Sequence, residues 1–372
     1  MLTNKKIMKT AIFLGHGQPF EIREIASEIK SENAIIETEA CTLCSSDLHT
    51  VSGRRTSPVP GVLGHEAIGR IVYLPKTWEL CDVAGNQLRI GQRVVWGVAS
   101  SCGNCIFCKN ELPQKCVSLI KYGHCHHNAG SIPRGGLSQL VEIVKGTPLV
   151  ALSDEIPAGI ACLAACAGAT VAAAIRLCGE FQLKSVVVTG GGVLGVIACR
   201  MAKSLGAKVV VCTEPDMNRR TRAQEFGADL AIDPREDDAH NQIKLKCNDG
   251  AGADYVMEFS GSNAAFETGL AVLRTGGTLL LAGAVFPSGS VAIEPEQIIR
   301  RMLTIRGLHN YSAVDLQSAV AFLELEFRTN PALSASLTGK HFPLEKIEMA
   351  FDWAASNPGV RAVISMMGDK SQ

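Results

Sequence analysis

The sequence predicts an α/β chain in which a parallel sheet covered on both faces is inserted into a mostly β region. Three observations carry this. From Pro157 onward, apolar strand-like runs alternate with helical stretches, as expected of buried parallel strands joined by crossovers. Roughly the first 150 residues instead hold short strands broken by Gly and Pro, without long helical periodicity. The composition, 47% hydrophobic with 5% aromatics and 36 glycines, suits tightly packed layers better than an aromatic-rich sandwich. At about 150 residues per domain, 372 residues make two or three domains the expectation.

In chain order, residues 34–40, 67–73 and 91–96 are β-branched or apolar runs flanked by turn residues, and each predicts a strand. The Ala-rich segment 158–177 predicts a helix. A β-branched run at 185–189 predicts a strand that opens into a glycine cluster, with a helix over 193–205 behind it. Strands are expected at 208–213, 253–259 and 277–282, with helices at 217–226 and between the last two strands. An amphipathic helix at 313–328 and a closing strand at 361–366 complete the reading, which contains no repeats.

Lys plus Arg and Asp plus Glu stand at 36 each, so the net charge is zero and gives no general pull toward nucleic acid or an anionic membrane. The N-terminus lacks the apolar core and cleavage site of a secretory signal. The longest apolar run, 158–175, is broken by glycine and ends at Arg176, so no membrane span is expected. A cytoplasmic, reducing location is the default, and there clustered cysteines are metal ligands or catalytic groups rather than disulfides. The chain has 14 of them.

Gly190, Gly192 and Gly195 fit G-x-G-x-x-G directly after a strand and at the opening of a helix, with Val193 and Leu194 between them. Glycine there permits a tight turn and close backbone approach, and the helix N-terminus offers free N–H groups to a pyrophosphate. Glu214 ends the next strand roughly twenty residues on, where an acidic group would bond ribose hydroxyls and repel a 2′-phosphate. NAD is therefore preferred to NADP, against the pull of the nearby Arg219 and Arg220.

Cys102, Cys105, Cys108 and Cys116 form C-x2-C-x2-C-x7-C on a loop, enough thiolates to close a tetrahedral zinc shell with no position left for substrate. A second, dispersed set holds Cys44, His65 and Cys166, with Thr170 following. Three ligands leave a fourth position for water or a substrate oxygen, as a catalytic zinc needs. Taken singly, each of these residues could equally be a buried packing residue.

With these motifs assembled, the chain resembles the zinc-dependent alcohol dehydrogenases of the medium-chain dehydrogenase/reductase superfamily. The stretch Cys44 to His49, the Gly64-His65-Glu66 signature, the four-cysteine lobe, the glycine loop and Glu214 all come in family order. The branch it looks most like is the one associated with phosphonate catabolism, on segments 41–50, 52–56, 112–116, 283–287 and 303–311. The resemblance implies a Rossmann nucleotide-binding domain (168–305) inserted in a chaperonin-10-like (GroES-like) catalytic domain (1–167, with the structural zinc lobe at 100–118, and again 306–372). It implies two zinc ions per chain, NAD, and a homodimer or homotetramer acting on a small alcohol or aldehyde. It also implies roles: Ser46 takes the alcohol proton, His49 passes it toward solvent, Asp47 orients the His65 ring, and Glu66 approaches the metal during ligand exchange. Cys166 argues against polyol and amino-alcohol relatives that use Glu as third ligand, and Ser45 departs from members with a basic residue after the first ligand.

For substrate, Arg54 and Arg55 on the loop after the relay segment suit a phosphonate, phosphate or carboxylate. In the His-rich stretch 121–127, Lys121 and His124 are the better pocket candidates. The leading expectation is a small, anionic alcohol such as a hydroxyalkylphosphonate. The alternatives are a neutral alcohol, polyol or thiol–aldehyde adduct, and more distantly a zinc-stabilised binding protein without catalysis.

Overall fold

The computed structural model describes residues 5–28 and 32–366, which fall into two compact units, 1–169 with 312–372 and 170–311. The first unit is built on a seven-stranded sheet. Its central strand, Ala34–Thr42, pairs antiparallel with Glu66–Tyr73 on one side and with Arg361–Ser365 on the other. Thr338–Pro343 lies beyond Arg361–Ser365, while Arg93–Trp96 and Leu149–Ala151 extend the opposite edge, and Leu140–Ile143 adds to the central strand. A hairpin of Lys5–Ile12 and Glu21–Glu28 stands apart from this sheet. Alternating inward residues such as Ile36, Cys41, Val94 and Trp96 meet Tyr122, Phe342 and Phe351 in one apolar cluster. The buried Arg93 guanidinium is satisfied inside that layer by Glu39 and by the Ser153 and Ile156 carbonyls.

This topology brings three distant stretches to one end of the sheet. The central strand runs out at Thr42 toward Cys44, its neighbour begins at Glu66 opposite Thr42, and the other neighbour begins at Arg361, with the Leu43 N–H bonded to the Ala362 carbonyl.

The second unit is a six-stranded parallel sheet in chain order 3-2-1-4-5-6, with strands Ser185–Thr189, Val209–Thr213, Leu230–Ile232, Ala253–Glu258, Leu273–Leu281 and Thr304–Gly307. Val186, Val187 and Val188 are all 0% exposed, so both faces of the first strand are covered, as the apolar run requires. In such a sheet, ligands bind at the carboxyl ends of the strands where the order reverses, here between strands one and four. The fold is thus a GroES-like region with a Rossmann-like parallel sheet. A domain boundary at 305/306 would cut the sixth strand; the second unit runs to residue 311.

The Ala-rich segment is not one helix. It is Ala158–Cys162, a 3-10 turn Leu163–Ala165, then Ala167–Cys178, with Cys166 at φ −139°, ψ −67° between them. Among the described residues no single helix is long and apolar enough to cross a membrane. This segment matches by length and composition only as a pair bent by 46°, with residues such as Ala161, Leu163 and Ala173 fully packed.

Candidate active site

The break at Cys166 has a purpose in the geometry. It lets the Cys166 thiol turn away from the helical direction, and the ligand atoms of Cys44, His65 and Cys166 all lie within 4.8 Å of one another. A tetrahedral zinc with Zn–S bonds of about 2.3 Å spaces its sulfurs about 3.8 Å apart, so the donors fit a zinc ion with one position to spare. The electrostatics ask for a cation too. An S–H from Cys166, together with the Arg361 guanidinium 3.6 Å from Cys44 Sγ, outweighs burial and holds the Cys44 thiol well below its ordinary range; the same contact pushes Cys166 up. Burial pushes His65 down, but Asp47 and Cys44 outweigh it and set it at about 10. His65 Nε2 lies 3.3 Å from Ser46 Oγ, and its Nδ1 lies 3.3 Å from Asp47 Oδ1, charge contact without hydrogen-bond alignment. Asp47 Oδ2 accepts the Cys44 N–H at 2.9 Å and so also fixes the start of helix Ser45–Val51.

The sulfurs of Cys102, Cys105, Cys108 and Cys116 likewise lie within 4.8 Å of one another. Backbone N–H groups point at them: those of Cys102 and Ser118 donate to Cys116 Sγ, and those of Cys108 and Val117 hold Cys105 down to about 6. Four donors with N–H support match a closed zinc shell and leave no place for substrate.

In the second unit, Gly192 caps helix Val193–Ser204 without a side chain, which leaves its first N–H groups to a ligand. A Cβ at Gly195 would sit 1.8 Å from the Gly190 carbonyl oxygen, so glycine is required for the helix to pack this close to the turn. Glu214 is buried: Oε2 accepts the Gly191 N–H at 2.7 Å and Oε1 the Asp216 N–H at 3.0 Å. The two nearby arginines are engaged. Arg220 donates to the Glu214 and Pro215 carbonyls and lies 3.4 Å from Asp233, while Arg219 is 3.7 Å from Glu214. Thr170 lies on helix Ala167–Cys178.

Two family models match the chain, one on either side of Cys166. One described as an alcohol dehydrogenase GroES-like domain matches residues 30–154, and one described as a zinc-binding dehydrogenase matches residues 193–324. The chain belongs to the zinc-dependent medium-chain alcohol dehydrogenases. It is 29% identical over 324 residues to an L-threonine 3-dehydrogenase of Pyrococcus horikoshii, covering 86% of each chain. It is 27% identical to a sorbitol dehydrogenase of Halalkalibacterium halodurans, covering 97% of this chain and 99% of that one. Among solved structures, an alcohol dehydrogenase of Thermotoga maritima superimposes with a TM-score of 0.87 at 26% identity, covering 97% of this chain and 99% of that one.

In this dehydrogenase, an oxidoreductase acting on CH–OH, Glu66 does not stand free beside the metal ligands. Its Oε2 accepts from Thr42 Oγ1 at 2.8 Å and from Arg361 Nε at 3.0 Å, with Arg361 Nη2 3.4 Å from Oε1. The pair is buried, and burial pushes Glu66 up to about 7 against the pull of Arg361. Arg361 and Thr42 carry no site role in the sequence reading, since no spacing links position 361 to position 44 and only strand pairing does so. Ser46 reaches the metal cluster, while His49 stands one turn further along the same helix, where burial and Arg54 lower its pKa.

The substrate candidates separate. Arg54 is exposed. Arg55 and Lys121 are half-buried, and among the described residues neither side chain has an ion pair or hydrogen bond. The His124 ring lies tilted by 35° against His65 with centroids 5.5 Å apart, and neither of its buried nitrogens has a partner. Burial and the charges of His65, Arg55 and Lys121 push His124 down to about 2, so the ring is neutral. Gly123 makes this possible: at φ +73°, a Cβ there would lie 2.8 Å from the Gly64 carbonyl, so the loop rests directly on the backbone preceding His65.

Proposed function

We propose that the protein is an NAD-dependent zinc alcohol dehydrogenase that interconverts a small, anionic alcohol, such as a hydroxyalkylphosphonate, with its aldehyde or ketone. The observation that carries this reading is the open cluster of Cys44, His65 and Cys166 with Ser46 Oγ against His65 Nε2. When bound, zinc supplies a Lewis acid that acidifies the alcohol, and NAD accepts the hydride. Ser46 accepts the alcohol proton, and His49, its pKa lowered by burial and Arg54, passes that proton toward solvent. Asp47 keeps the His65 ring turned so that Nε2 faces the cluster. Arg361 holds Glu66 away from the ligands in the resting state and shares its charge with Cys44.

NAD is supported by the buried Glu214 carboxylate at the end of the second strand, which would repel a 2′-phosphate, and by the engagement of Arg219 with that carboxylate and of Arg220 with the Glu214 and Pro215 carbonyls and Asp233. Gly190, Gly192, Val193, Leu194 and Gly195 form the pyrophosphate turn, and Thr170 is an additional cofactor contact. The four-cysteine lobe takes a second, structural zinc, so each chain carries two. Fourteen free cysteines suit a reducing, cytoplasmic compartment, and assembly as a homodimer or homotetramer follows the family pattern.

A neutral alcohol or polyol is the second reading, favoured by the names of the sorbitol and threonine dehydrogenases among the relatives. The test follows NADH absorbance over a panel of hydroxyalkylphosphonates, hydroxy acids and neutral alcohols, with wild type and Cys44→Ser. Turnover that Cys44→Ser abolishes without lowering thermal stability is the expected result; turnover retained in that variant refutes the assignment.

A further inference from the structure

We propose that Glu258 is a positioning residue for the nicotinamide half of the cofactor: its buried carboxylate ties the turn after the fourth parallel strand to the turn after the fifth and so builds the seat of the nicotinamide ribose. This rests on the dehydrogenase reading above and concerns a residue that neither the metal clusters nor the glycine turn accounts for. Glu258 ends strand Ala253–Glu258, which pairs with Ser185–Thr189 on one side and Leu273–Leu281 on the other. At 1% exposed, its carboxylate is a group that an interior does not tolerate without partners. Oε1 accepts the Ser260 N–H at 2.6 Å, the Ser260 hydroxyl at 2.7 Å and the Gly261 N–H at 2.7 Å. Oε2 accepts the Gly283 N–H at 3.3 Å, from the following turn. The Glu258 carbonyl adds the Ala282 and Gly283 N–H groups, both at 2.9 Å. Apart from the Ser260 hydroxyl these donors are all backbone N–H groups, so what the residue fixes is the path of two turns.

These turns have little slack. A Cβ on Gly283 would lie 2.8 Å from Glu258 Oε2, and one on Gly190 would lie 3.0 Å from the Ser260 nitrogen. The pyrophosphate turn therefore rests on the segment that Glu258 holds. Strands one and four flank the point where the sheet order reverses, and a dinucleotide lies across such a point with one nucleotide half on each side. Glu214, at the end of strand two, marks the adenosine side. Residues 259–262 and 282–285 follow the carboxyl ends of strands four and five, on the opposite side, which leaves them the nicotinamide half. A glutamate buried here costs desolvation that an apolar residue would avoid, and the gain is two turns held in one shape.

The test measures binding by the full chain, without turnover. NADH is titrated by its fluorescence and by calorimetry, and 5′-AMP, which carries only the adenosine half, by calorimetry. Glu258→Gln keeps the size of the side chain but turns one acceptor oxygen into a donor that faces N–H groups. It should weaken NADH by about 10- to 100-fold while AMP stays within about twofold of wild type. Bound NADH should also lose part of its fluorescence enhancement, as a ring held less firmly would. Ser260→Ala removes one donor and leaves the carboxylate in place. It should weaken NADH alone, by about 2- to 10-fold, in a protein that melts where wild type does. NADH bound equally by wild type and both variants would overturn the proposal. So would equal losses of NADH and AMP, which would mean that Glu258 only holds its domain together. A wild type that binds neither NADH nor AMP would instead overturn the dinucleotide reading on which the role rests.

Discussion

Arg361 and Glu66 carry opposite charges in a place almost without water, their side chains 5% and 0% exposed. Removing one partner of such a pair strands the other, at a cost of about 3–5 kcal/mol. Arg361→Leu is therefore expected to lower unfolding stability by that order in a denaturant titration, and Glu66→Gln in the same chain should recover part of it. A cost below about 0.5 kcal/mol would mean that water reaches the pair. His65 makes a prediction in pH. In the metal-free protein its folded value of about 10 stands above the unfolded 6.5. Its contribution is thus complete below pH 6.5 and is lost as pH rises through about 10. Zinc must displace that proton and the one on Cys166, so zinc uptake near neutrality should release protons and tighten as pH rises. Calorimetry in two buffers of unlike ionisation enthalpy counts them; a count of zero would contradict the ligand set. The residues behind these effects differ in how far sequence could reveal them. Cys44, Ser46, Asp47, His65 and Glu66 sit in two short motifs whose spacing is itself the signal, whereas Arg361 becomes a neighbour only once Arg361–Ser365 pairs beside Ala34–Thr42.

Among the elements, helix Val193–Ser204 depends on the turn beneath it. Gly195→Ala drives a methyl group into the Gly190 carbonyl, and overpacking of this kind costs about 1–3 kcal/mol. The expected result is a clear loss of NADH affinity in a fluorescence titration together with an earlier melt; unaltered binding would show that the turn can give way. The four-cysteine loop makes a separate prediction. Cys102→Ser should release the lobe's zinc and open the 100–118 loop to protease, since few apolar contacts hold it and Ile106 and Phe107 face solvent. Elements with an unbroken local signal were legible, among them the β-branched strand Ser185–Thr189 and the amphipathic helix Ala313–Thr329. The break at Cys166 was not. Alanines on both sides favour helix, and nothing in their propensity marks the turn that brings Cys166 to Cys44 and His65. The hairpin Lys5–Ile12 with Glu21–Glu28 also escaped, its charged residues hiding the alternation.

At the scale of the molecule, two clusters able to hold a metal, one of four thiols and one of two thiols and an imidazole, share one chain with zero net charge. Elemental analysis of the purified protein should find about two zinc ions per chain, falling to about one in Cys102→Ser. One ion in the wild type that is lost in Cys102→Ser would place it in the four-cysteine lobe and remove the case for catalysis by zinc. The order of the six parallel strands follows from the alternating pattern only as a class; the particular sequence 3-2-1-4-5-6 emerges from packing. The strand that begins at Arg361 has one more consequence, in time rather than in space. A ribosome completes Cys44, His65 and Cys166 long before it reaches residue 361, so the nascent chain holds every zinc ligand while Glu66 still lacks its counter-charge. The last-made strand of the sheet therefore supplies the counter-charge that the first-made cluster waits for.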